Sequence, residues 1–201
     1  MIKRTLARLA HDCRGAAAVE FAIILLPLSI VLIGGLDLGY QSYLRATLQG
    51  TLNDVARLAS VESPDLGTSG ATLEAKVENA IKQRMSVLAK DGSYTIRMRN
   101  YSSFSGAGKP EPLVTDKNNN GRYDAGDCWQ DINPNGSFDL DSARSGIGGA
   151  SDVVFYDVTE SVPRILPMAK LVGLPANHVV KASVAIRSQP YDDQERPTVA
   201  C

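Results

Sequence analysis

The chain has 201 residues, 44% of them hydrophobic and 21% charged, with a net charge of −1. That near-neutral total is the sum of a basic start, +3 over residues 1–15, and a mildly acidic remainder of −4. The Lys and Arg residues of the remainder are scattered, so no basic stripe suits a nucleic acid, and the length leaves room for one domain of ordinary size beside any membrane segment.

Lys3, Arg4, Arg8 and Arg14 precede a long apolar run, Ala16 to Leu36, whose only charge is Glu20. A run of that length can cross a bilayer as one helix, which takes about 20 residues. Basic residues on the near side and Asp37 on the far side orient it with the N-terminus in the cytoplasm. The expected organisation is a basic leader over 1–15, a transmembrane helix over 16–36 and an exported domain over 37–201. Pro27 tends to kink such a helix, and Gly34, Gly35 and Gly39 loosen its far end.

The helical pattern continues past the membrane. Leu44, Leu48, Leu52, Val55 and Leu58 recur at spacings of three and four, which predicts an amphipathic extension to about Ala59. A second amphipathic helix is predicted over Ala71–Lys90. Tyr94, Ile96 and Met98 alternate with Thr95, Arg97 and Arg99 as in a half-buried strand. Residues 102–151 form a polar insertion rich in Gly, Asn, Asp and Ser, too poor in apolar residues for a hydrophobic core of its own. Strand character returns at Val153–Val158, a short helix broken by Pro167 is expected over 163–172, and Val179–Arg187 reads as a last strand. The fold class is therefore α+β: a long N-terminal helix, a second helix and about three antiparallel strands, with the insertion between two of them.

The position of Gly15 decides what the first helix is for. An ordinary secretory leader is cut after its apolar core, whereas a cut between Gly15 and Ala16 removes only the basic leader and keeps the helix. Glu20 then lies five residues into the mature chain. A carboxylate beside the bilayer is costly and calls for a partner, which the new α-amino group of a neighbouring subunit can supply. Gly15 followed by Ala-Ala-Ala-Val-Glu-Phe-Ala resembles the type IV pilin family and its prepilin-peptidase site. More narrowly, Arg14 to Ile23 resembles the TadE-like minor pilins of the bacterial tight-adherence (Flp) pilus. Ala185-Ile186-Arg187-Ser188-Gln189-Pro190-Tyr191 is similar to that family's closing strand, with Ser188 and Gln189 where Asn and Glu are usual. The resemblance implies a minor pilin or pseudopilin held in the inner membrane, with prepilin peptidase, other pilins and the assembly machinery as partners. An alternative from another class is a single-pass calcium-binding adhesion or ligand-binding envelope protein that never polymerises.

The insertion carries the second motif. Asp116, Asn118, Asn120, Asp124 and Asp127 fall at positions 1, 3, 5, 9 and 12 of an EF-hand-type loop, with Gly121 at 6 and the carbonyl of Arg122 at 7. Position 12 is Asp, shorter than the usual Glu, as in the dockerin-like loops this resembles. A weaker copy begins at Asp131, with Asn133, Asn135, Gly136, Ser137 and Asp139 in step; its position 12 is Ser142, and Asp141 stands one place early. Hard oxygen donors without a His or Cys set suit Ca²⁺, and ion binding would order a segment that burial cannot. Tyr123, Trp129 and Phe138 are expected to pack the loops down.

Of the three cysteines, Cys13 precedes the helix, while Cys128 and Cys201 fall in the exported part, where two cysteines pair in an oxidising compartment. Free buried thiols are the alternative. No catalytic arrangement is visible: His11 lies in the leader, His178 opens a strand, and there is no Gly-x-Ser-x-Gly, phosphate loop or zinc spacing. The expectation is a protein that is not an enzyme.

Overall fold

A computed structural model describes residues 15–165 and 173–201. The leader up to Arg14 and most of the helix expected over 163–172 lie outside the described residues. The chain divides into two units, Met1–Ser42 with Arg164–Ala176 and Tyr43–Pro163 with Asn177–Cys201.

Helix α1 runs through Ala16–Ala59, 44 residues that include Pro27, so neither that proline nor the glycines after it end the helix. In the first unit its apolar side chains are exposed, among them Phe21, Ile24, Leu26, Val31 and Leu36. This stretch is long and apolar enough to cross a membrane. Near its end, Asp37 pairs with the guanidinium of Arg164. The same guanidinium donates to the Pro175 carbonyl at 2.8 Å.

In the second unit α1 becomes amphipathic as the spacing of its leucines requires. Leu44, Leu48, Leu52 and Val55 are fully buried, each such side chain being worth about 1.5–3 kcal/mol when removed from water. Gln49 Nε2 reaches the Ser183 carbonyl at 3.1 Å, and Thr51 Oγ1 donates to Met85 Sδ at 3.8 Å. Those contacts set this half of α1 against the sheet on one side and helix α2 (Leu73–Met85) on the other. Helix α2 is shorter than its apolar periodicity suggests. Thr72 caps its start, accepting from the Ala75 N–H at 3.2 Å. At its end the Ser86 hydroxyl bonds back to the Gln83 carbonyl at 2.7 Å, offering the backbone an alternative to another helical turn.

Strands β1 (Ser93–Tyr101), β5 (Val153–Pro163) and β6 (Asn177–Arg187) are the three expected from alternation, and each runs longer than its apolar pattern. With β4 (Arg144–Ser145) they form an antiparallel sheet ordered β4-β1-β5-β6. Register places Tyr94 opposite Glu160 and Ile96 opposite Val158, and Glu160 opposite Val180 and Val158 opposite Ala182. This puts Tyr94, Ile96, Val158, Glu160, Val180 and Ala182 on one face. The other face is polar: Arg99 donates to Asp157 at 2.9 Å, and Ser183 does so at 2.7 Å.

A second antiparallel sheet, β2-β3-β7, joins the insertion to the tail: β2 (Leu113–Thr115), β3 (Cys128–Asp131) and β7 (Thr198–Ala200). The expectation of about three strands did not include it, because strands of three or four residues are too short for alternation to show. The class is α+β, as expected from the order of elements.

One residue of the inner face sits in an uncomfortable place. Glu160 is 0% exposed, and neither carboxylate oxygen meets a partner in good hydrogen-bond geometry. Burial raises its pKa, and the nearby Tyr94 hydroxyl only partly opposes this. With the folded pKa above the unfolded one, the native state binds more protons, so stability falls as pH climbs from the unfolded carboxylate range through the raised folded value. Glu160→Gln is therefore expected to flatten that decline and to raise stability at neutral pH, measured by urea unfolding at several pH values. An unchanged slope would contradict it.

Candidate metal loops and the anchoring helix

The first loop is drawn together by Asp116 and Asp127. Asp116 accepts from the N–H of Asn120 at 3.3 Å and of Gly121 at 2.7 Å. Asp127 accepts from the N–H of Lys117 at 3.0 Å and of Asp124 at 2.9 Å. Across the loop, the side-chain amides of Asn118 and Asn120 both donate to Asp124 Oδ2, at 2.8 and 2.6 Å. Gly121 takes φ 73°, a left-handed conformation that costs glycine nothing and most other residues something. The segment turns there, which is why position 6 must be glycine.

The second loop repeats the contacts that its first, third, fifth and ninth positions make with one another in the first loop. Asp131 accepts from the N–H of Asn135 at 3.2 Å and of Gly136 at 2.8 Å. Asn133 and Asn135 converge on Asp139 Oδ2 at 2.7 and 2.6 Å, and Gly136 takes φ 74°. In each loop the paired amides hold the shared carboxylate, Asp124 or Asp139, below the usual carboxylate pKa. Position 12 by count differs: Ser142 donates its N–H to the Lys109 carbonyl, and Asp141 faces Tyr101 and Arg99.

The loops are joined through β3, with Asp127 just before it and Asp131 its last residue. Tyr123 stacks on Phe138 with ring centroids 4.4 Å apart, and Trp129 meets both rings edge-on. The insertion thus has a small aromatic core. Cys128 and Cys201 are disulfide-bonded with Cα atoms 4.1 Å apart, next to the Trp129–Ala200 pair of β3 and β7.

Several observations bear on whether a cation suits these loops. Asp127 is 1% exposed and Asp131 5%, and among the described residues neither forms an ion pair. Asn133 Oδ1 is enclosed with no hydrogen-bond partner. Among the described residues no three His, Cys, Asp or Glu side chains converge as a metal-holding group; the donor sets instead include asparagines and a carbonyl. An asparagine amide can present either its NH₂ or its oxygen. The amides that tie the shared carboxylate can therefore turn their oxygens inward to a cation. The donor chemistry fits a hard ion of the calcium type.

Sequence reasoning missed Glu111, whose carboxylate takes the N–H of Ile132 at 2.7 Å and of Asp139 at 3.1 Å. Its only sequence signals are the absence of an acid at position 12 of the second loop and its place between Pro110 and Pro112.

At the other end of the chain, helix α1 starts at Ala16, directly after Gly15. Glu20 lies one turn into the exposed apolar stretch. Among the described residues one helix is long and apolar enough to cross a bilayer, and its continuation into an α+β domain fits the class of proteins anchored by an N-terminal helix. Residues 15–57 match the model of the family described as TadE-like protein, so the N-terminal segment is TadE-like, as its opening residues led us to expect. No curated protein and no solved structure matches the chain significantly. The match covers α1 nearly end to end and stops before α2.

Proposed function

We propose that the protein is a minor pilin or pseudopilin that assembles into, or primes, a tight-adherence-type pilus after prepilin peptidase cuts between Gly15 and Ala16. The observation that carries this is the coincidence of the TadE-like match, residues 15–57, with one unbroken helix, Ala16–Ala59, apolar and exposed in its first half. Before assembly that half holds the protein in the inner membrane, N-terminus inward and the domain outward; in a filament it packs against neighbouring subunits. Glu20 pairs with the α-amino group that cleavage creates on a neighbour, neutralising both charges and setting the axial offset.

In this reading the insertion is a calcium-ordered surface of the exported domain. Asp116, Asn118, Asn120, the Arg122 carbonyl, Asp124 and Asp127 hold the first ion. Calcium neutralises carboxylates that otherwise repel one another, and Tyr123, Trp129 and Phe138 keep the two loops folded on β3.

Processing is tested by mass spectrometry of the membrane-extracted protein from cells containing the pilus genes. The expected chain begins at Ala16, lacking Cys13. A chain beginning at Met1 would sink the pilin reading and favour the non-polymerising envelope protein. Glu20→Ala is expected to be cleaved normally yet to be strongly depleted from sheared pili; undiminished incorporation would remove Glu20 from the assembly step.

A further inference from the structure

The two loops differ in sequence at position 12 but not in what occupies its place. In the first loop the position-12 carboxylate, Asp127, takes the N–H of position 2, Lys117, on one oxygen and that of position 9, Asp124, on the other. In the second loop positions 2 and 9 are Ile132 and Asp139. Their N–H groups are taken by the two oxygens of Glu111, Oε1 at 2.7 Å and Oε2 at 3.1 Å. Glu111 precedes its loop by twenty residues. It holds there the bridging station that Asp127 holds from within its own.

Three further facts single out Glu111. Its backbone is fixed in place: its N–H bonds to the Asp139 carbonyl at 3.0 Å, and the carbonyl of neighbouring Pro112 accepts from Gln130 at 2.9 Å. Pro110 and Pro112 restrict the chain on both sides. The residue is 2% exposed, and among the described residues no Lys, Arg or His forms an ion pair with its carboxylate. A carboxylate removed from water without a countercharge is strongly unfavourable. In the same loop, Asn133 Oδ1 is an enclosed acceptor with no donor. Buried acceptors and buried negative charge together call for a cation.

We propose that Glu111 is the bidentate carboxylate that closes a second Ca²⁺ site, whose other ligands are Asp131, Asn133, Asn135, the Ser137 carbonyl and Asp139. A glutamate is the usual closing ligand of such loops because its length lets both oxygens reach the ion. With Glu111 counted, the second loop carries three carboxylates, as does the first with Asp116, Asp124 and Asp127. The degenerate loop thus draws its missing carboxylate from outside its own sequence, an ion turning these side chains inward, and the protein binds two ions. Ser142, at position 12 by count, takes no part. This rests on reading the loops as cation sites.

The test is a calorimetric titration of Ca²⁺ into the full-length, calcium-free protein in detergent micelles. Two ions are expected to bind the natural chain and the Ser142→Ala variant. Glu111→Gln should keep the first-loop site and bind the second ion at least about tenfold more weakly, whereas Asp127→Asn should weaken the first site instead. Should Glu111→Gln lose both sites, the shorter Glu111→Asp, which keeps the charge, decides: a weakened second site beside an intact first supports the assignment, and two undiminished sites overturn it. Two full sites in Glu111→Gln also overturn it, as does a second site lost through Ser142→Ala alone. One site in the natural chain, removed by Asp127→Asn, overturns the role of Glu111 and leaves the first loop standing. No binding at all overturns the calcium reading and this inference with it.

Discussion

Replacing Cys201 with serine should cost the folded domain about 4 kcal/mol of unfolding free energy. The disulfide to Cys128 closes a loop with a sequence separation of 73. The chain-entropy relation gives about 3 kcal/mol for a 15-residue loop and about 4.7 for a 100-residue one, with this loop between them. The effect should not stop at the tail. Strand β7 pairs with β3 through three residue pairs only, ending at Asp131–Thr198, and without the cross-link so short a strand has little to hold it. Asp131 opens the second loop, so the same substitution should weaken calcium binding there more than in the first loop. Urea unfolding followed by the fluorescence of Trp129, the only tryptophan, measures the stability. A loss below about 1 kcal/mol would show that the bond restrains the tail alone.

Chelation should have a comparable effect by a different route. An ion bound only by the folded state stabilises it by RT ln(1 + [L]/Kd), about 2.7 kcal/mol at a hundredfold excess over Kd. Loops of this charge in extracellular modules bind at roughly 10⁻⁴ to 10⁻³ M, so about 10 mM Ca²⁺ should raise the melting temperature by several degrees for each site filled. The change should be concentrated where the ion acts. Trp129 lies against Tyr123 of the first loop and Phe138 of the second, so its emission should shift on adding chelator before the far-ultraviolet helix signal changes. Asp116→Ala, which removes the anchor for the Asn120 and Gly121 N–H groups, should abolish the first loop's share of the calcium-dependent rise and leave that of the second. Equal melting temperatures in chelator and in millimolar Ca²⁺ would remove the case for ion-ordered loops.

Where sequence and structure agree, a periodic signal ran long enough to be read. Leu44, Leu48, Leu52 and Val55 could belong only to a helix with one buried face, and the alternation at Tyr94–Met98 only to a half-buried strand. The spacing of Asp116, Asn118, Asn120 and Gly121 specified a loop whose turn needs glycine at one place. What escaped was non-local. Strand β7 exists because β3 and a disulfide are there to receive it, and Thr198-Val199-Ala200 carries no pattern of its own. Glu111 looks like a solvated acid between two prolines. Its role depends on a backbone pairing with Asp139 that no local window contains. The shortened end of α2 escaped for a local reason instead: the Ser86 hydroxyl competes for the Gln83 carbonyl within what the apolar spacing alone would continue as helix.

The position of the disulfide also has a mechanical consequence. A tension applied at the C-terminus enters at Cys201 and passes directly to Cys128, so every residue between the two is shielded from it. Both β5 and β6 and the whole of the second loop lie inside that shielded span. At about 3.3–3.6 Å per extended residue, roughly 250 Å of chain is withheld from extension. A load on the tail is therefore carried by Cys128 and the backbone that precedes it, and the main sheet is not unravelled from its last strand.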